Sequence, residues 1–288
     1  MSKQEYIVIN SNKWDFLEIL GKGSFGMVVK VKCDNYSFNS NSIFGAVKIF
    51  TKKSNNYVYE NNNGSYHKDL VYKEIESLSV LKHDNIIKLF GSNETRNNIY
   101  ILTEFVQGTT LYQWLKNHDI SEDINIKFTK SLIKTIDYIH KMGYIYVDLK
   151  LENIIIINGM ITNGFKLIDF GSVEKIKDIH KYQWRIITKG YCSPELYYRN
   201  KVTRANDIWA IGVISYILHH KYMPYHTKLF RKDIPYLRWP KLKFKNASQN
   251  AINFWENVIN ININARYRIN DMLIHPWLND DKIIINKL

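Results

Sequence analysis

Several absences bound this chain before any motif is considered. Two cysteines, Cys33 and Cys192, in 288 residues make neither a disulfide framework nor a cysteine-based metal cluster. Five prolines and 13 glycines argue against extended linkers. No apolar run approaches the roughly 20 residues a bilayer-spanning helix requires. The opening Met1-Ser2-Lys3-Gln4-Glu5-Tyr6 lacks the basic-then-apolar pattern of a signal peptide. Ser2 stands where myristoylation requires glycine. These absences predict a soluble, cytoplasmic protein with nuclear access left open and no membrane partner. Acidic residues are also few, 27 against 40 Lys and Arg, for a net charge of +13. The cations are scattered, with no run of five, and Asn and Ile are enriched beside Lys, as biased codon usage in an AT-rich genome would produce. Charge alone therefore predicts no specific nucleic-acid surface, though it leaves room for acidic partners.

What is present describes a packed protein. Hydrophobic residues make up 45% and aromatics 14% of a chain long enough for one large or two small cores. Short apolar runs around Trp14–Leu20, Met27–Lys32, Ile43–Phe50 and Ile99–Phe105 end at turn-forming residues and predict strands. The stretch from Ser54 to Ser65 is polar and Asn-rich, and predicts a solvated loop. A helix is predicted at Lys68–Lys82, with Leu70, Glu74, Ile75, Leu78 and Leu81 along one side. From about Leu111 the pattern becomes helical. Phe128, Leu132, Ile136 and Ile139 share a helical face that Gly143 ends, and Asp207–Leu218 is apolar almost all round, as in a helix buried on every side.

Chemistry concentrates in two short loops. Tyr146-Val147-Asp148-Leu149-Lys150-Leu151-Glu152-Asn153 precedes an apolar strand, Ile154–Ile157, and Asp169-Phe170-Gly171 follows it. A carboxylate, an ammonium, an amide and a second carboxylate in this order suit phosphoryl transfer from ATP. One carboxylate orients a hydroxyl, the ammonium neutralises charge on the moving group, and the amide and second carboxylate hold Mg²⁺. Gly21-Lys22-Gly23-Ser24-Phe25-Gly26-Met27-Val28 is a G-x-G-x-x-G-x-V loop. Alone it is weak, because dinucleotide-binding folds share it. Here strands are predicted on both sides and no helix opens after Gly26, which favours a hairpin lid. Lys48, in Ala46-Val47-Lys48-Ile49, would be an ordinary exposed strand lysine but for Glu74, a carboxylate on an otherwise apolar helix stripe and costly there unless paired.

Together these motifs resemble the eukaryotic protein kinases, over about Trp14 to Leu278. The resemblance implies an α+β, two-lobed fold: a β-rich N-lobe over about 1–104, a hinge at Glu104–Thr109 and a helical C-lobe over 110–288. It implies ATP and Mg²⁺ as cofactors and a protein Ser or Thr hydroxyl as acceptor, since Lys150 follows Asp148 by two. Asp148 would orient the hydroxyl. Lys48, paired with Glu74, would reach the α- and β-phosphates, and Asn153 and Asp169 would hold metal. Leu20, Gly21, Gly23, Gly26, Val28, Ala46, Thr103 (the small gatekeeper), Glu104, Val106 and Ile155 would line the nucleotide. Thr188-Lys189-Gly190-Tyr191-Cys192-Ser193-Pro194-Glu195 resembles the peptide-docking segment, with Glu195 expected against Arg266, or second against Arg268. Asp207 would pin the catalytic-loop backbone.

Three departures stand out. Tyr146 replaces the usual His of H-R-D and Val147 the Arg. Ile217 stands where many members carry a Glu, leaving Glu152 as an acidic contact for basic substrates. The resemblance also admits a catalytically silent nucleotide-binding scaffold, and the basic loop Lys175, Lys177, Lys181 and Arg185 admits an acidic regulatory partner.

Overall fold

A computed structural model describes residues 6–23, 26–34, 42–52, 66–181, 188–226 and 242–279. Contacts divide the chain into two compact units, Met1–Gln107 and Gly108–Leu288.

The first unit is an antiparallel sheet with one helix. Its strands are β1 (Tyr6–Ile9), β2 (Asn12–Gly23), β3 (Gly26–Cys33), β4 (Ile43–Thr51), β5 (Leu89–Glu94) and β6 (Asn98–Glu104), in the order β1-β2-β3-β4-β6-β5. Alternation along the strands sends Ile7, Ile9, Trp14, Val29, Val31, Val47, Tyr100 and Leu102 into one core. Burial of each large member contributes about 1.5–3 kcal/mol relative to exposure. The sheet curls until its two edges meet through side chains: Asn93 Nδ2 donates to Val8 O at 2.8 Å, and Asn10 Nδ2 to Phe90 O at 2.9 Å. Helix α1 (Tyr66–Val80) buries Val71, Glu74, Ser77 and Leu78. The buried stripe is thus centred one residue away from Leu70 and Ile75, which are only half-buried, and Leu81 packs from just beyond the helix end. Two strands of this unit are absent from the sequence expectations. β5 reads Leu-Phe-Gly-Ser-Asn-Glu, too polar to stand out, and β1 is only four residues long. The Asn-rich stretch after Lys53 lies outside the described residues.

The second unit is mainly helical. It opens with β7 (Gly108–Thr110), α2 (Leu111–Leu115) and α3 (Glu122–Lys141), followed by the short strands β8 (Tyr144–Ile145), β9 (Ile154–Ile157), β10 (Phe165–Leu167) and β11 (Glu174–Lys175). Then come α4 (Pro194–Arg199), α5 (Arg204–His220), α6 (Gln249–Val258), α7 (Ile269–Leu273) and α8 (Pro276–Asn279). Ser121 caps α3, its hydroxyl accepting the Ile124 N–H, while Glu122 and Asp123 sit in the first turn and His140 and Lys141 in the last, as the helix dipole favours. Gly143, at φ 83°, turns the chain out of that helix. Helix α5 is buried continuously from Asn206 to Leu218 and runs slightly beyond the predicted span at both ends. β9 pairs with β10 on one side and β7 on the other. That pairing fixes both ends of the strand joining the two loops of interest.

Candidate active site

In the first unit, the candidate residues gather on the sheet face opposite the core. Cross-strand partners share a face. Gly21 pairs with Val28, Val28 with Lys48, and Ala46 with Thr103, so these five side-chain positions point the same way. Lys48 Nζ reaches both carboxylate oxygens of Glu74, at 3.0 and 2.8 Å. Glu74 is only 4% exposed, so its charge is stable there because the ammonium partner is within contact. Glu76 points outward. β2 and β3 run up to the tight pairing of Gly23 with Gly26; Ser24 and Phe25 lie outside the described residues. At Gly26 no side chain fits, since a Cβ there would sit 2.0 Å from Ile49 O, and φ is 141°. Leu20 is exposed at the outer end of β2. Thr103 Oγ1 donates to Ala46 O at 3.3 Å. Glu104 spends its carboxylate locally, accepting the Lys88 N–H at 2.9 Å, and Val106 is half-buried just beyond β6.

In the second unit, one buried carboxylate organises the loop before β9. Asp207, at the start of α5, accepts the Tyr146 N–H at 2.9 Å and the Val147 N–H at 2.8 Å, and lies 2.7 Å from His140 Nε2. Tyr146 hydroxyl donates to Ile168 O, next to Asp169, and its ring meets Phe170 edge-on at 5.2 Å. His140, on the last turn of α3, is a member of this cluster that no loop motif could reveal.

The loop so held presents Asp148, 7% exposed. Its Oδ2 lies 2.5 Å from Lys150 Nζ, and its Oδ1 accepts the Thr188 N–H at 3.2 Å. Lys150 Nζ also donates to Thr188 Oγ1 at 2.9 Å. Asn153 Nδ2 donates to Asp148 O at 2.9 Å, which leaves the amide oxygen as its acceptor end. Asn153 O accepts the Ile168 N–H at 2.9 Å, tying the two loops together beside Asp169, whose φ is 64°. Ile155 is half-buried on β9. The segment that follows is equally fixed. Arg266 forks onto Glu195, with N–O distances of 2.7 and 3.0 Å, and neither group is more than 4% exposed. Arg268 instead opens α7, its N–H donating to Asp271. Burial pushes the Cys192 thiol up to about 12, so it is no nucleophile.

Residues 14–278 match the sequence profile of the protein kinase domain. The chain belongs to the protein kinase family. It is 29% identical over 273 residues to myosin light chain kinase 2, skeletal/cardiac muscle, of Rattus norvegicus, covering 91% of this chain and 42% of that protein. It is likewise 29% identical over 273 residues to myosin light chain kinase family member 4 of Homo sapiens, covering 92% and 66%. The kinase chain thus spans between about two fifths and two thirds of the length of these relatives.

The donor set of this kinase domain fits a nucleotide–Mg²⁺ complex better than a metal held by protein alone. Among the described residues no group of three His, Cys, Asp or Glu is placed to hold an ion. If Asp169 supplied a carboxylate and Asn153 its amide oxygen, most positions of an octahedral cation would be left to phosphate oxygens and water, which is how Mg²⁺ is usually bound. No helix among the described residues is long and apolar enough to cross a membrane.

Proposed function

We propose that this chain transfers the γ-phosphoryl group of ATP, with Mg²⁺, to Ser or Thr hydroxyls of proteins. The observation that carries the reading is Asp148, held on one oxygen by Lys150 Nζ at 2.5 Å and on the other by the Thr188 N–H at 3.2 Å. A carboxylate fixed at both oxygens has a defined direction for accepting an acceptor hydroxyl's hydrogen bond and, as the new bond forms, its proton. ATP with Mg²⁺ supplies the activated phosphoryl group. Lys150 places positive charge where the transferred group would pass. Lys48, kept extended by Glu74, would hold the α- and β-phosphates, Gly21, Gly23 and Gly26 would let backbone approach them, and Asn153 and Asp169 would hold the metal.

Basic residues near the acceptor are the favoured substrate feature. Glu152 Oε2 is buried without a hydrogen-bond partner among the described residues, and its charge adds to the burial that raises the Tyr191 phenol. A buried, unmatched carboxylate oxygen invites a cation. The test is transfer from γ-labelled ATP to a degenerate peptide library with and without Mg²⁺. Mg²⁺-dependent labelling of Ser and Thr, enriched for nearby Arg or Lys, is expected. Nucleotide binding without transfer would make the chain a nucleotide-binding scaffold of the same fold, and labelling of Tyr alone would overturn the acceptor assignment.

A further inference from the structure

Segment 188–195 is held at three places, and the middle one is unexplained by the motifs. At one end Thr188 is tied to Asp148 and Lys150. At the other, Asn206 Nδ2 donates to Ser193 Oγ at 2.6 Å and to Glu195 Oε1 at 3.0 Å. Between them the Tyr191 and Cys192 N–H groups fold back onto Thr188 O, at 3.2 and 3.3 Å, through Gly190 at φ 100°. A tyrosine from beyond α5 ties that turn to the helical body. The Tyr225 hydroxyl donates to Gly190 O at 2.7 Å and accepts the Trp209 indole N–H at 2.8 Å. Trp209 is fully buried in α5, and the Arg266 guanidinium lies over its ring at 4.8 Å while the same guanidinium forks onto Glu195. One phenol therefore joins the middle of the segment to the group anchoring its far end.

We propose that Tyr225 is a positioning residue for the peptide acceptor, holding the 188–193 turn in register with Asp148. The inference rests on the kinase reading above. The physical reason lies in what the hydroxyl serves. Tyr225 is 5% exposed and its burial keeps the phenol protonated, so the one O–H acts as both donor and acceptor. Remove the oxygen and both Gly190 O and the Trp209 N–H are left in a site that excludes water. The turn then loses its hold at Gly190 O and rotates more readily there. Thr188 sits two residues away and shares Asp148 and Lys150 with any docked hydroxyl, so rotation alters how a peptide lies against the carboxylate. Nucleotide-facing groups on Lys48, Asn153 and Asp169 are not part of this relay.

Tyr225→Phe tests it, because the ring that packs on Trp209 remains and only the oxygen is lost. In the full chain, KM for a peptide substrate is expected to rise about five- to tenfold, with kcat and KM for ATP each changed less than about twofold. Backbone amides of 188–196, followed by hydrogen exchange in protein without nucleotide, should exchange at least about tenfold faster, with α5 unchanged. An unchanged peptide KM in an active variant would overturn the proposal. So would a joint collapse of kcat, both KM values and melting temperature, which would make Tyr225 a plain stabiliser. If wild-type protein phosphorylates nothing, the kinase reading fails. The exchange measurement then still decides the tether, and unaltered exchange at 188–196 sinks it.

Discussion

Asp207 Oδ1 accepts the Val147 N–H at 2.8 Å, and Val147 sits at φ 73°. A β-branched residue is strained in that left-handed region, at a cost on the order of 1–3 kcal/mol. The carboxylate of α5 therefore holds a loop in a shape its own sequence resists. Asp148, the next residue, inherits its direction from this arrangement.

Asp207→Ala should accordingly do more than remove one charge. It leaves two buried N–H groups without an acceptor and releases the strained turn. The expected loss is about 3–5 kcal/mol of folding stability, read by denaturant unfolding. A loss under about 1 kcal/mol would show that the loop is held by other contacts.

For chemistry, Asp148→Asn should keep ATP binding and lower turnover by about a hundredfold or more, since the amide keeps the carboxylate's shape but accepts from only one of Lys150 and Thr188 and takes up no proton. Lys48→Met should also cripple transfer, because the Glu74 carboxylate would be left buried beside a thioether. Near-normal turnover in either variant would show that the roles are misassigned.

The candidate site was legible because phosphoryl transfer uses short local spacings: Asp148, Lys150 and Asn153 lie within six residues, and Asp169-Phe170-Gly171 follows one strand later. Glu74 was legible for a different reason, as a carboxylate in an apolar stripe, and Lys48 proves to be its partner at 2.8 Å. The polar strand β5 was not legible, because it gains its place by pairing with β6 and from no pattern of its own. His140 and Tyr225 were equally hidden. Their partners are 67 and 35 residues away, and nothing in a helix end or a Pro-Tyr pair encodes such distances.

Thr103 shares a sheet face with Ala46 and Lys48, and its hydroxyl turns back onto Ala46 O at 3.3 Å. A short side chain there should admit inhibitors carrying a bulky aryl group behind the adenine. Thr103→Met should exclude them while ATP still binds. Equal affinity of such a compound for both proteins, by calorimetry, would show that the gatekeeper lies elsewhere.

His220 gives a pH dependence with a definite sign. Burial lowers its pKa from 6.5 to about 4, and the neutral ring bridges Tyr216 O at 3.1 Å and the Lys245 N–H at 3.3 Å. As pH falls below 6.5 the unfolded chain takes up a proton that the folded one refuses until about 4. The contribution is therefore complete above pH 6.5 and is lost progressively down to about 4. Melting temperature in that window should fall more steeply for wild type than for His220→Gln, and parallel curves would discount the ring.

Kinases switched by loop phosphorylation commonly hold the phosphate with the Arg of H-R-D, because a guanidinium pairs bidentately with phosphate oxygens. Val147 occupies that place and is a buried aliphatic, 5% exposed. On β11 the buried Glu174, a carboxylate, pairs across the strands with Ile145, two residues before Val147. Hydroxyl side chains between Gly171 and Thr188 are few: Ser172, too close to the Asp169-Phe170-Gly171 turn, and Tyr182, which lies outside the described residues. Thr188 itself is occupied by Lys150 and Asp148, so a phosphate there would displace the acceptor. Activity should therefore be independent of loop phosphorylation. Purified protein is treated with phosphatase, dephosphorylation is confirmed by mass spectrometry, and kcat/KM is measured, with less than about a twofold change expected. A loss of about tenfold, equivalent to about 1.4 kcal/mol of transition-state stabilisation, would sink the idea and point to Tyr182.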